Sequence, residues 1–152
     1  MSIKSLIEHK QNSDRFCAPT MFLDEAIDRM AQLSISAICA VTDDGNAAGI
    51  LTDHDLLKAI HTRGMTGNSI NNETVADWMS EYICTCTPDT SLASAVDIMT
   101  QNNIHHLVVT EAGRPVAVIS LSDVLSQLHA NDAIELLKIR GGLIINTPLS
   151  AA

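Results

Sequence analysis

The chain between Arg15 and Arg63 is repeated in pattern, with scattered identities in register, between Cys84 and His129. Cys17-Ala18-Pro19 returns as Cys86-Thr87-Pro88. Leu23, Ala26, Asp28, Met30, Gln32 and Ile35 return 69 positions later as Leu92, Ala95, Asp97, Met99, Gln101 and Ile104. After the loss of one residue in a turn, Gly45, Asp55, Leu57 and His61 return 68 positions later as Gly113, Asp123, Leu125 and His129. Two copies of one small unit bury their open faces on each other, because neither closes a core alone. Any site between the copies then exists in two related versions.

Within each copy the apolar spacing alternates between strand and helix periods. Residues 16–18 read as a brief strand stopped by Pro19. Over 23–33, Leu23, Ala26, Ile27, Met30 and Leu33 keep the spacing of a helix packed on one face. An apolar run at 37–41 has strand length, and Asp43-Asp44-Gly45-Asn46 is hairpin chemistry. A strand at 47–51 then feeds a helix from 53 to about 62. The second copy predicts strands at 83–86, 106–110 and 115–119, with helices over 92–102 and from 121 onward, the last reaching 139 before Gly141-Gly142. A short helix opens the chain and ends near Lys10; another, over 73–79, leads into the second copy. The expected organisation is a lead-in (1–15), a first copy (16–63), a Gly- and Asn-rich linker with its lead-in helix (64–82), a second copy (83–139) and an apolar tail (140–152). The class is α/β.

Composition narrows the functions. With 152 residues and 46% apolar content, the chain can bury a real core. A net charge of -9 with only 9 basic residues argues against nucleic acid, which needs clustered Lys and Arg. One Trp, one Tyr and two Phe leave little for base stacking. The opening residues do not read as a signal peptide, and no apolar run approaches the roughly 20 residues of a membrane span. Cys17, Cys39, Cys84 and Cys86 lie in apolar segments and are expected to be reduced and buried, in a cytoplasmic protein.

The local motif with chemical content opens the last helix of each copy: Gly49-Ile50-Leu51-Thr52-Asp53-His54-Asp55, and Ala117-Val118-Ile119-Ser120-Leu121-Ser122-Asp123. Two readings stand side by side. Thr52 and Ser120 can cap their helices, with the acid three residues on returning the bond. Equally, a helix N-terminus with a hydroxyl attracts an anion, and an Asp one turn in accepts hydrogen bonds from a diol.

These copies, the Gly-hydrophobic-hydrophobic-Thr-x-x-Asp turn, the segment Ile104-His105-His106-Leu107-Val108-Val109 and the phrase Val75-Ala76-Asp77-Trp78-Met79-Ser80 together resemble a tandem pair of CBS domains. The resemblance covers roughly residues 3–139. It implies two β-α-β-β-α repeats packed about a pseudo-two-fold axis, with two clefts for an adenosine compound: AMP, ADP, ATP, NAD or S-adenosylmethionine. It further implies that Asp55 and Asp123 hold ribose hydroxyls, and that Thr52, Ser120 and Ser122 sit near ribose or phosphate. By the same resemblance Ile50 and Val118 line the adenine slot, with Ile35, Ser36 and Ala37 and with Ile104, His105 and His106 beside it. His105 resembles a phosphate-facing histidine. The resemblance implies a regulatory module, not an enzyme, acting on a separate partner. It also implies a homodimer formed through the helices that start near Leu23, Asp53, Leu92 and Leu121.

The copies also differ from the family and from each other. His54 stands where many members carry Arg, giving a weaker and pH-dependent phosphate partner. Ala117 replaces the Gly retained as Gly49, which narrows the second cleft. With the His pair and Ser122 assigned to copy two, the Asp123 cleft is expected to be the better nucleotide site. Adjacent strand residues point to opposite faces, so His105 and His106 are not expected to share a metal. Cys84 and Cys86 lack the partners of a zinc set. His61 and His129 suit helix C-termini, and Met30 and Met99 suit the core. Two rivals remain: an interaction module with filled clefts, and a small enzyme using His105, His106, Cys84 and Cys86.

Overall fold

The computed structural model describes residues 2–8, 12–63, 70 and 72–128. In chain order these form α1 (Ile3–Ile7), a 3-10 turn (Ser13–Arg15), β1 (Phe16–Cys17), α2 (Leu23–Leu33), β2 (Ala37–Val41), β3 (Ala47–Thr52) and α3 (Asp53–Arg63). There follow α4 (Val75–Trp78), β4 (Thr85–Cys86), α5 (Leu92–Gln101), β5 (His106–Glu111), β6 (Arg114–Ser120) and α6 (Leu121–Gln127).

The strands make two three-stranded sheets of identical plan, β1-β2-β3 and β4-β5-β6, each with one parallel and one antiparallel pairing. The repeat survives at the level of register. Cys39 pairs with Ile50 as Val108 pairs with Val118, and the ladder slips after Ala40 as it does after Val109. The missing residue lies in the β5–β6 turn, where Ala112 and Gly113 both take positive φ. That is the backbone of a tight two-residue hairpin.

Each apolar strand run is buried on both faces, which explains why it does not alternate with polar residues. Ile38, Ala40 and Leu51 face the helices of copy one, with Leu23, Ala26 and Met30. Ala37, Cys39 and Ile50 face the other way and meet Val108 and Val118 between the two sheets. Sheet-to-sheet packing therefore holds the copies together, and each fully buried valine there contributes about 1.5–3 kcal/mol.

The lead-in helices cross over. Ile3 and Leu6 of α1 sit in the core of copy two, and the Ile3 and Lys4 N–H groups donate to the Thr90 and Pro88 carbonyls. Val75 of α4 sits in the core of copy one, where its N–H donates to the Met21 carbonyl. Thr74 and Asp77 form a capping box on α4, with Asp77 Oδ2 accepting from the Thr74 N–H at 2.7 Å.

Several expected boundaries move. The strand expected at 83–86 is reduced to Thr85–Cys86, because Ser80 pairs instead with Ile50 and carries residues 81–84 along the cleft. The lead-in helix expected over 73–79 shortens to Val75–Trp78. Helix α6 ends at Gln127, where Leu128 is extended with ψ 140°. Lys10, His129, the stripe through Ile134, Leu137 and Lys138, and the tail from Gly141 lie outside the described residues.

Candidate functional site

Two cavities open between the copies. The larger, about 580 Å³, is lined by Ile50, Thr52, His54 and Asp55 from copy one and by Ile104, His105 and His106 from copy two. The smaller, about 330 Å³, is lined by Ser36 from copy one and by Ser120, Ser122, Leu125 and the same two histidines from copy two. Each cavity is thus roofed by the helix N-terminus of one copy and floored by the loop of the other. The assignment of the His pair to the Asp123 cleft is therefore corrected: both histidines face both cavities. A volume near 580 Å³ falls within the range of small-ligand pockets, and 330 Å³ lies at its lower edge.

The backbone that aims these residues follows from the repeat. Helices α2 and α5 are each followed by a left-handed residue, Ser34 directly after α2 and Asn103 two positions after α5, both at φ 52°. The next N–H groups, of Ile35 and Ile104, close back on the Met30 and Met99 carbonyls at 3.0 and 2.9 Å. The chain then turns into β2 and β5. Its carbonyls at Ser36 and His105 accept from the first N–H groups of α3 and α6, Asp53 at 3.1 Å and Leu121 at 2.8 Å. His105 lies in the bend before β5 rather than on it, so the two-residue alternation expected of His105 and His106 does not apply.

The helix-opening motif caps its helix as expected in copy two, whereas in copy one the Thr52 hydroxyl donates to Asp55 instead of accepting from a helix N–H. Asp123 Oδ2 accepts from the Ser120 N–H at 2.8 Å, and Ser120 Oγ accepts from the Asp123 N–H at 3.2 Å. Ser120 and Ser122 share a hydrogen bond at 2.8 Å. In copy one, Asp55 Oδ2 accepts from both the N–H and the hydroxyl of Thr52, at 2.9 and 3.0 Å. Asp55 Oδ1 meets the exposed Lys58 ammonium at 3.7 Å. One Asp55 oxygen is committed to the turn while the other faces a cation at the cavity wall. Capping and ligand binding are therefore compatible in this side chain.

His106 joins the copies directly, sharing a 2.8 Å hydrogen bond between Nε2 and Ser36 Oγ. Burial holds its pKa below the ordinary value, against the Asp53 and Asp123 carboxylates and with His105 and Arg15. The folded chain therefore favours neutral His106, and the unfolded chain takes up a proton first as pH falls below about 6.5. Its contribution to stability is complete above that value and declines below it. Melting temperatures at about pH 7.5 and 5.5 are expected to show a loss on acidification that His106→Gln reduces. An identical pH dependence in the two proteins excludes His106 as the cause.

The remaining expected residues line neither cavity, and Asp123 is one of them: its carboxylate is taken up in the capping box of α6. Ala37 and Val118 are fully buried between the sheets, and Ile35 packs on the core of copy one. Conversely, Ser80, Tyr82, Ile83 and Cys84 line the larger cavity, as do Asp53, Leu57, Lys58 and Asn103. The signal for Ser80 was Gly49: a methyl group there would stand 2.9 Å from the Ser80 carbonyl oxygen. The thiols of Cys17 and Cys86 are pushed up to about 11 and that of Cys39 to about 12, chiefly by burial. Such groups stay protonated and are poor nucleophiles. No helix among the described residues is long and apolar enough to cross a membrane.

Comparison with known proteins extends the geometry. The family model for the CBS domain matches residues 13–62 and 75–130. The mitochondrial CBS domain-containing protein CBSX3 of Arabidopsis thaliana is 28% identical over 127 residues, 81% of this chain. The match spans 60% of that relative's length. The CBS-domain containing protein ATU1752 of Agrobacterium tumefaciens superposes with a TM-score of 0.73 at 27% identity, covering 82% of this chain and 91% of the other. The CBS domain protein PAE2072 of Pyrobaculum aerophilum, complexed with AMP, superposes with a TM-score of 0.74 at 17% identity, covering 91% and 99%. Matched in both of its copies, and folded as those pairs fold, the chain belongs to the CBS domain family.

Proposed function

We propose that this chain is a regulatory module that binds an adenosine compound between its copies and passes the signal to a separate protein. The observation that carries the reading is the larger cavity. It combines an apolar slot at Ile50, Ile83 and Ile104 with the Asp55 carboxylate and a cationic rim of Lys58, with His54 and His105 beside it. A flat base, a diol and a phosphate call for those three surfaces in turn. AMP is the ligand of first choice, since the Pyrobaculum aerophilum relative is complexed with it. ADP, ATP, NAD and S-adenosylmethionine form the comparison set.

The mechanism is a shift in how the copies sit on each other. A ligand touching α3 of copy one and the 103–106 loop of copy two favours one arrangement, and a partner responds only through its different affinities for the arrangements. Phe22, Leu33 and Leu57 remain exposed on and beside α2 and α3, which supports a homodimer through the helical layer. The compartment that suits a reduced-thiol protein of this kind is the cytoplasm.

Thermal unfolding with each of the five compounds tests the reading. A ligand at one hundred times its Kd adds about 2.7 kcal/mol. That raises Tm by about 5–10 °C for a chain of this size. AMP is expected to give such a shift. A flat Tm with all five at millimolar concentration overturns the sensor and favours an interaction module.

A further inference from the structure

Asp53, His105 and His106 line both cavities. The wall between the two sites is therefore one residue layer that serves each of them. It already holds a carboxylate, and two imidazoles are its hydrogen-bonding groups. One imidazole nitrogen of His106 is tied to Ser36 Oγ, which itself lines the smaller cavity. Phosphate-bearing ligands on the two sides would compete for the same imidazoles and repel each other across it, and Asp53 adds to that repulsion. A ligand in the larger cavity that draws His106 toward itself also breaks the wall of the smaller one.

We propose that the two cavities are negatively coupled: an anionic nucleotide bound in one weakens the binding of an anionic nucleotide in the other through the shared layer of Asp53, His105 and His106. This rests on the adenine-nucleotide reading and concerns how its two sites communicate. The expected coupling is about tenfold, within the ordinary range for linked sites. It makes the chain respond to low ligand with one site and resist filling the second.

Unequal sites alone also produce two unequal binding steps, so the test must be independent of their order. AMP binding is measured by calorimetry on the wild type, on Asp55→Ala to isolate the smaller cavity, and on Leu125→Trp, which fills the smaller cavity from its own wall, to isolate the larger. The product of the two single-cavity association constants is expected to exceed the product of the two wild-type stepwise constants by about tenfold. One AMP per chain in the wild type, with one in each variant, is the extreme form of the same result. Equal products overturn the coupling and leave the nucleotide reading standing. A wild type that binds one AMP beside a variant that binds none overturns it too, since there is then no second site. No AMP binding by the wild type at millimolar concentration overturns both. Where a variant melts below the assay temperature, Asp55→Asn, which keeps an oxygen for the turn N–H, replaces the first and Ser122→Phe replaces the second. His105→Ala, which removes one shared imidazole, is expected to bring the ratio of products toward one.

Discussion

Asp55→Ala is expected to weaken AMP binding at the larger cavity by at least about tenfold, with a smaller loss for Asp123→Ala. The reason is the division of labour between the Asp55 oxygens. Oδ2 is held by the Thr52 N–H and hydroxyl, which fixes the rotamer, while Oδ1 faces Lys58 at the cavity wall. A carboxylate so oriented presents its second oxygen to a diol without further ordering. Hydrogen bonds to a charged group are worth about 1.5–3 kcal/mol, and 1.4 kcal/mol is tenfold in affinity. The substitution also removes the acceptor that closes the first turn of α3, costing about 1 kcal/mol of stability. Calorimetry on a variant whose melting transition is intact separates the two effects. Asp55→Asn, which keeps the turn acceptor, is expected to recover most of the stability and little of the affinity. Equal losses of AMP binding in Asp55→Ala and Asp123→Ala would remove the preference for the larger cavity.

That preference reverses what the sequence pattern favours, and the reversal has a physical cause. The repeat register was legible to the residue, because Cys39, Ile50, Val108 and Val118 are interior positions whose identity is set by burial. The helix-opening motif was legible because capping is local, settled within four residues. What joins the copies was not. Ile3 reaches the Thr90 carbonyl, and Ser36 reaches His106, across separations that no periodicity records. The crossing of the lead-in chains also places Ser80, Tyr82, Ile83 and Cys84 in the larger cavity, although the last three belong to none of the motifs that pointed to a site. Ile50 and Val118 hold equivalent positions in the ladder, yet Ile50 reaches the cavity while Val118 is sealed between the sheets. Equivalence under a repeat predicts the backbone, and the side chains around each copy decide access.

Gly49→Val is expected to destabilise the chain by about 3 kcal/mol, lowering Tm by about 6–12 °C, and to abolish AMP binding at the larger cavity. Position 49 lies where the lead-in to copy two passes over β3. The Ile50 N–H donates to the Ser80 carbonyl and the Ser80 N–H to the Ile50 carbonyl, both at 2.9 Å. A Cβ at 49 would stand 2.9 Å from that Ser80 oxygen and 2.5 Å from the Met79 sulfur. Met79 has rotatable bonds and can withdraw, but the Ser80 carbonyl is held by its bond to Ile50. A branched side chain therefore has to lift the whole crossing strand, and residues 82–84 leave the cavity wall with it. Copy two carries Ala117, fully buried, at the equivalent place, so the β6 ladder itself accepts a Cβ. The constraint belongs to the crossing segment and not to the strand. Ala117→Gly accordingly costs about 1–2 kcal/mol, from a flexible residue in a strand and the loss of one buried methyl. Thermal melts of the two variants, with and without AMP, decide the matter. A Gly49→Val protein that melts with the wild type and still binds AMP would show that the crossing is loose and does not form the site.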